Sequence, residues 1–330
     1  MKAILIFITL TITGLVMAKE HQLAIVIHGG AGTILKKNLT DEKEAAIQAK
    51  LEEAINAGYS VLENGGESTD AVIAAINIME NSPLFNAGIG AVYTKQGKHE
   101  LDASIMHGND LQAGAVAGVS HVKNPINAAK AVMLNSPHVM LSNQGADKFA
   151  KQQGLETVEN KYFDSEYRFK QWQAINEKDE ISLSEDLLKT DHKFSTVGAV
   201  AIDNNGNIVA GTSTGGMTNK AYGRIGDSPV IGAGTYADNR SCGISATGHG
   251  EYFIRYTVAH DICARVLYKN ISLQQSADEV INHDLKNIGA DGGIIGLDKM
   301  GNPVMVFNTA GMYRGYKTES SDVKVLIYKD

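Results

Sequence analysis

Threonine hydroxyls backed by glycines are the first residues in this chain with the makings of chemistry. Thr196 stands where a charged stretch ends and an apolar, strand-like run begins. A threonine at such a junction can simply open a β-hairpin, but this one has company. Thr212-Ser213-Thr214-Gly215-Gly216 closes the return strand of the same hairpin, near Thr196 if the pairing register holds. Glycines after the hydroxyls let a ligand come close to the backbone. The next segment, Gly223-Arg224-Ile225-Gly226-Asp227-Ser228-Pro229, sets a guanidinium and a carboxylate three residues apart on a loop. Arginine forks onto carboxylates and aspartate accepts from ammonium groups, so the pair matches the two charged groups of an α-amino acid. Taken alone, it is equally the pattern of a surface salt bridge. Thr247-Gly248-His249-Gly250-Glu251 ends a strand and opens a helix, where outward N–H groups could stabilise an oxyanion or could mark a plain helix start. A threonine hydroxyl is a poor nucleophile without a base, and no His or Asp stands at a spacing that obviously supplies one.

The elements that must position these residues follow from periodicity. Residues 23–27 form an apolar run that ends in His28-Gly29-Gly30-Ala31-Gly32, as a buried strand entering a glycine turn would. Thr40 can cap a helix with Asp41 and Glu42 in its first turn, and Leu51, Ala54, Ile55 and Tyr59 share one face. A second helix over residues 69–80 leads into Pro83-Leu84-Phe85-Asn86-Ala87-Gly88-Ile89-Gly90, which is too glycine-rich and aperiodic to be helical. Strands are expected at 101–106 and 114–119, and helices at 126–133 and 146–152. Beyond Thr196, residues 196–202 and 207–213 flank the turn Asp203-Asn204-Asn205-Gly206 as a hairpin. Apolar runs at 230–233, 242–246, 293–297 and 303–307 suggest a second half of sheet, with helices over 251–268 and 273–288. The coarse pattern is α/β, sheet flanked by helices, without internal repeats.

Between the two halves, 17 of the 45 residues over 151–195 are Asp, Glu, Lys or Arg, against 20% for the chain. Such a segment buries little and is expected to be a mobile linker. Over all 330 residues the net charge is −7, which argues against a general grip on nucleic-acid phosphates and favours a small molecule or another protein as partner. At the N-terminus, Lys2, an apolar run over 3–16 and Val16-Met17-Ala18 read as a signal peptide over residues 1–18, cut before Lys19. A periplasmic or secreted protein is expected, with no membrane attachment once the signal is removed. Cys242 and Cys263 are too few for a disulfide scaffold. One bridge is possible, but two free buried thiols are the expectation.

These blocks also carry a family resemblance. HGGAG from His28, PLFNAGIGAVYT from Pro83, ELDASIM from Glu100, AGAVAGVSHVKNP from Ala113 and TVGAVAID from Thr196 all resemble the plant-type asparaginases, also called isoaspartyl peptidases. So do TSTGGMTNK from Thr212, GRIGDSP from Gly223, TGHGE from Thr247 and FNTAGMYR from Phe307. That family lies within the N-terminal-nucleophile hydrolases. The resemblance covers nearly the whole chain after the signal, leaving out the charged stretch and the extreme ends.

The resemblance implies a four-layer αββα sandwich and a precursor that cuts its own chain between Ser195 and Thr196. An α subunit over 19–195 and a β subunit over 196–330 would then form one structural domain. A freed α-amine, with an ordinary pKa near ~7.7–8.0, would supply the missing base. By matching position, Thr196 is implied as the nucleophile toward asparagine or a β-aspartyl dipeptide, with Thr214 assisting it. Thr247 and Gly248 are implied as the oxyanion hole, Arg224 as the α-carboxylate clamp, and Asp227 with Gly248 and Gly250 as further substrate contacts. No cofactor is implied for catalysis. A structural sodium ion is implied on main-chain oxygens of Met79, Glu80, Ser82, Phe85, Ala87 and Ile89, with Asn86 helping to hold the site. A homodimer of cleaved protomers is implied as well. Ser195 departs from the glycine common at that position, which would slow the cut. A glycosylasparaginase uses the same chemistry, but the HGGAG start resembles the asparaginase branch. A non-catalytic amino-acid-binding module would keep Arg224 and Asp227 without needing the three threonines.

Overall fold

Strand β5 (Val197–Ile202) is buried along its whole length, and its two faces serve two different interiors. Val197, Ala199 and Ala201 pack toward helices, whereas Val200 and Ile202 pack toward a second sheet. This is the period-2 alternation of a strand covered on both faces. The computed structural model describes residues 21–179 and 196–329. Around β5 run β1 (Ala24–Gly32), β2 (Leu101–His107), β3 (Ala113–Val119), β4 (Met140–Ser142) and β6 (Ile208–Thr214). With β11 (Gly311–Thr318) and β12 (Ser321–Tyr328) they form one eight-stranded sheet ordered β12-β11-β1-β5-β6-β2-β3-β4. A four-stranded sheet ordered β10-β9-β8-β7 lies against it, built from β7 (Thr235–Asp238), β8 (Cys242–Gly248), β9 (Gly292–Asp298) and β10 (Pro303–Phe307).

Helices close both outer faces. On the large sheet lie α1 (Asp41–Glu63), α2 (Ser68–Glu80), α3 (Pro125–Asn135) and α4 (Asn143–Gln152). The Thr40 side chain accepts from the Lys43 N–H, capping α1 as its sequence suggests. Ile47, Leu51, Ala54, Ile55, Tyr59 and Leu62 form its buried stripe. On the small sheet lie α6 (Gly250–Arg255), α7 (Val258–Lys269) and α8 (Leu273–Asp278), the last continuing as a π-helical turn over Glu279–Leu285. The four-layer αββα sandwich is therefore observed. The helix expected over 251–268 is broken at Thr257, whose φ of 46° lies in the left-handed region. The run 230–233 is a turn rather than a strand, and β11 and β12 carry no reading from the sequence alone.

Two expectations need correction. The first part of the charged stretch is folded: it holds the end of α4, a 3₁₀ turn over Asn160–Phe163 and α5 (Glu166–Asp179). Phe163 is fully buried, and the buried Arg168 donates from Nε to the Gly90 carbonyl at 2.8 Å. A charge count cannot see that one aromatic and one arginine anchor an otherwise solvated segment. Residues 180–195, and with them Ser195, lie outside the described residues, as does the expected signal peptide. The second correction concerns the cysteines: Cys242 on β8 and Cys263 on α7 form a disulfide across the outer layer.

The loop that this bridge closes spans 21 residues, so its removal restores chain entropy to the unfolded state. The Cys263→Ala variant is expected to lose about 3 kcal/mol in urea unfolding, on the chain-entropy scale for a loop of this length. Reductant should then lower the wild-type midpoint and leave the variant's unchanged.

Candidate active site

The end of the β5–β6 hairpin sets the site. Val197 pairs with Ser213 and Gly198 with Thr212, so the next pair outward brings Thr196 beside Thr214. The Thr196 hydroxyl donates to Thr214 Oγ1 at 3.1 Å, and Thr214 Oγ1 also accepts from the Gly216 N–H at 3.0 Å. Both threonines are nearly buried, at 8% and 3% exposure. They line a pocket with Gly216, Arg224, Asp227 and Gly248. Across the sheet, Asp102 pairs in register with Thr214. Its carboxylate accepts from the Gly118 N–H and lies 3.8 Å from the buried Lys220 ammonium.

A glycine-rich turn braces this corner. Asn86 donates from Nδ2 to the Gly216 carbonyl at 2.7 Å, accepts from the Val92 N–H at 2.9 Å, and takes the Gly215 N–H on its own carbonyl. The turn is crowded with main-chain oxygens. Gly88 has φ of 51°, and a Cβ there would fall 2.1 Å from the Glu80 carbonyl oxygen; one at Gly90 would fall 1.8 Å from that of Phe85. The Met79 and Ala87 carbonyls accept from the Ser82 and Gly90 N–H groups. Main-chain carbonyl oxygens are a ligand type that suits a hard cation. Among the described residues, no cluster of three or more His, Cys, Asp or Glu side chains could hold a metal ion.

Below the turn, the Glu80 side chain is fully buried at the start of α3. It accepts from the Ile126 N–H at 3.1 Å, Ser213 Oγ at 2.6 Å and Asn124 Nδ2 at 3.0 Å. Burial pushes its carboxyl up to about 7, against the pull of those three donors. Glu80 thereby ties α2 to the strand residue before Thr214, a side-chain role separate from the main-chain one implied by the resemblance.

The far side of the pocket holds the two charged loop residues. Arg224 forks onto Glu251, Nε to Oε1 and Nη2 to Oε2, both at 2.9 Å. This is the partner that local reading missed, because it lies 27 residues on at the first turn of α6. Glu251 occupies one edge of the guanidinium. Nη1 stays beside Gly226, another wall of the pocket, since a Cβ at Gly226 would fall 2.8 Å from it. Asp227 is buried and its Oδ2 makes no hydrogen bond. Burial pushes its carboxyl up to about 7, while Arg224 pulls it back. A Cβ at Gly250 would fall 2.8 Å from Arg224 Nη2 and 3.0 Å from Asp227 Oδ1, so only glycine leaves the clamp its room. Thr247 is fully buried on the face of β8 that looks toward the large sheet, and its Oγ1 accepts from the Ala31 N–H at 3.4 Å. Taken together, the pocket brings the Thr196 and Thr214 hydroxyls together with the Arg224 guanidinium and the Asp227 carboxyl.

Comparison with known proteins shows the family. The family model described as asparaginase matches residues 21–327, and the chain belongs to that hydrolase family. An isoaspartyl peptidase of Salmonella typhimurium is 45% identical over 94% of this chain and 100% of its own length. One from Escherichia coli is 44% identical over 93% and 96%. A plant-type L-asparaginase of Pyrococcus abyssi is 42% identical over 90% and 96%.

The raised Asp227 carboxyl has a consequence for stability. Its native value of about 7 lies above the unfolded value of ~3.9, so between them the folded chain keeps a proton that the unfolded chain has released. The stabilisation is complete below about pH 4 and is lost as pH rises through 7. Asp227→Asn is expected to make urea stability fall less steeply between pH 4 and 8, with the part due to Glu80 remaining. An unchanged slope would show that Asp227 ionises normally.

Proposed function

We propose that this chain cuts its own peptide bond before Thr196 and then hydrolyses β-aspartyl dipeptides and L-asparagine, with the Thr196 hydroxyl as nucleophile. The observation that carries this reading is the Thr196–Thr214 hydroxyl pair at 3.1 Å in a pocket whose other side presents Arg224 and Asp227. In the precursor, Thr196 Oγ attacks the Ser195 carbonyl carbon, the bond to the Thr196 nitrogen breaks, and water hydrolyses the resulting ester. The freed amine then takes the hydroxyl proton as Oγ attacks the side-chain carbonyl of the substrate. The Thr247 hydroxyl and Gly248 N–H stabilise the oxyanion. The proton passes to the departing amine or ammonia, and water resolves the aspartyl ester.

Substrate orientation comes from charge. The guanidinium edge of Arg224 not used by Glu251 pairs with the α-carboxylate, and the Oδ2 of Asp227 accepts from the α-ammonium beside Gly250. A sodium ion resting on main-chain oxygens of Met79, Glu80, Ser82, Phe85, Ala87 and Ile89 would steady the turn that carries Asn86, and takes no part in the chemistry. Export to the periplasm or outside the cell is supported by the signal-like residues 1–18 and by the Cys242–Cys263 bridge, which suits an oxidising compartment. Assembly as a homodimer of cleaved protomers rests on the family resemblance.

Thr196→Ala is expected to yield a single uncut chain that releases no ammonia from asparagine and no leucine from β-aspartyl-leucine. Thr196→Ser should keep a measurable part of both activities. N-terminal sequencing that still finds a fragment starting at residue 196 in the alanine variant would overturn the mechanism. Arg224→Lys replaces a fork by a point charge and also gives up the alignment supplied by Glu251. Its KM should rise about tenfold to hundredfold while kcat changes little, since one charge-assisted hydrogen bond contributes roughly 1.5–3 kcal/mol.

A further inference from the structure

His28 is fully buried on β1, far in sequence from every residue given a role above, yet its ring touches the nucleophilic residue. Nδ1 lies 3.0 Å from the Thr196 carbonyl oxygen and Nε2 lies 3.0 Å from Ser245 Oγ. A carbonyl can only accept, so the proton must sit on Nδ1. Burial holds the imidazole pKa down at about 3, so Nε2 stays bare at neutral pH and must receive a proton from Ser245. Beyond Ser245 a chain of buried hydroxyls continues between the sheets. Thr212 Oγ1 lies 2.6 Å from Ser245 Oγ, 2.6 Å from Thr235 Oγ1 and 3.1 Å from the Gly234 carbonyl oxygen, and Ser104 Oγ lies 2.8 Å from Thr235 Oγ1. Ser104 also reaches the Ser228 carbonyl at 2.5 Å, next to Asp227. All five residues are fully buried, and they come from β1, β8, β6, β7 and β2, so the chain spans both sheets. Space for it depends on Gly198, where a Cβ would fall 2.0 Å from Ser245 Oγ and 2.5 Å from His28 Nε2.

We infer that His28 is a positioning residue: its Nδ1–H holds the Thr196 carbonyl, and Ser245 at Nε2 braces the other side of the ring. The inference rests on the reading of Thr196 as an N-terminal nucleophile, and it answers a problem that reading creates. Once the bond before Thr196 is cut, the residue is a chain end, and chain ends fray unless tied down. The only covalent link left is the peptide to Val197. Fixing that carbonyl fixes the Thr196 Cα and the axis of its Cα–C bond, and the contact of its hydroxyl with Thr214 limits the rotation that is left.

Two substitutions separate the ends of the ring. The amide nitrogen of Asn falls near the place of Nδ1, whereas the amide of Gln falls near Nε2 and leaves the Thr196 carbonyl without its donor. Hydrolysis of β-aspartyl-leucine is measured on matured His28→Asn, His28→Gln and wild-type protein, with melting temperatures beside it. His28→Gln should lose about thirtyfold or more in kcat with KM within about twofold, and His28→Asn should stay within about fivefold of wild type. Equal losses in both variants, a loss carried by KM, or no loss in the glutamine variant would each overturn the assignment.

Ring-nitrogen NMR of ¹⁵N-histidine-labelled wild-type protein supplies a readout that needs neither variant folding nor turnover. A Nδ1-protonated tautomer coupled to the Thr196 carbonyl supports the inference, and a Nε2-protonated ring refutes it. Wild-type protein that turns over neither substrate would instead refute the nucleophile reading, and the NMR result tells the two failures apart.

Discussion

The antiparallel pairing of β5 with β6 is the constraint on which the rest of this molecule depends. Because Val197 faces Ser213, Thr196 is carried to Thr214 by register alone, and a slip of one residue in either strand would turn that strand's hydroxyl toward the helices. The alternation that buries Val200 and Ile202 between the sheets also delivers Thr212 and Thr214 to the same interior. At one end that interior is apolar, with Val26, Ile208, Met106 and Leu297; at the other it is a cluster of hydroxyls and charges. The site is therefore the polar end of the core rather than a feature added to the surface.

Polar groups kept dry must satisfy one another, and this end of the molecule is organised accordingly. Asn86 closes onto Gly216, Glu80 gathers three donors beneath β6, and Arg224 is aligned by Glu251. Among the described residues, two buried carboxylate oxygens, of Asp102 and Asp227, are left without a hydrogen bond. That of Asp102 sits within reach of Lys220, whereas Asp227 lines the pocket. A buried acceptor without a partner costs stability, and an ammonium group brought by a substrate would repay it. The outer parts of the fold work to the same end at greater distance, as when Arg168 of α5 grips the carbonyl of Gly90 and steadies the turn that holds Asn86.

Much of this was legible in the sequence because it is local. The cap at Thr40, the stripe on α1, the hairpin around Asp203-Gly206 and the hydroxyl-glycine blocks all depend on residues a few positions apart. The resemblance of nine ordered blocks reached further, to the layer order and to the family. Where local reading failed, the contacts were distant. The Phe163 and Arg168 anchors of the charged stretch, the Cys242–Cys263 bridge and the break at Thr257 each depend on a neighbour that periodicity cannot supply.

By itself the sequence determined which faces are apolar, where helices begin, and which hydroxyls and charges share a strand end, since period and capping are properties of adjacent residues. Only the tertiary structure decided which of those groups meet. His28 reaches Thr196 across 168 positions and Ser245 across 217, and Arg224 reaches Glu251 from another layer's edge. Such contacts depend on how two sheets stack and which glycine lets them approach. Stacking is settled by the packing of the whole interior at once, so no short stretch of sequence contains it.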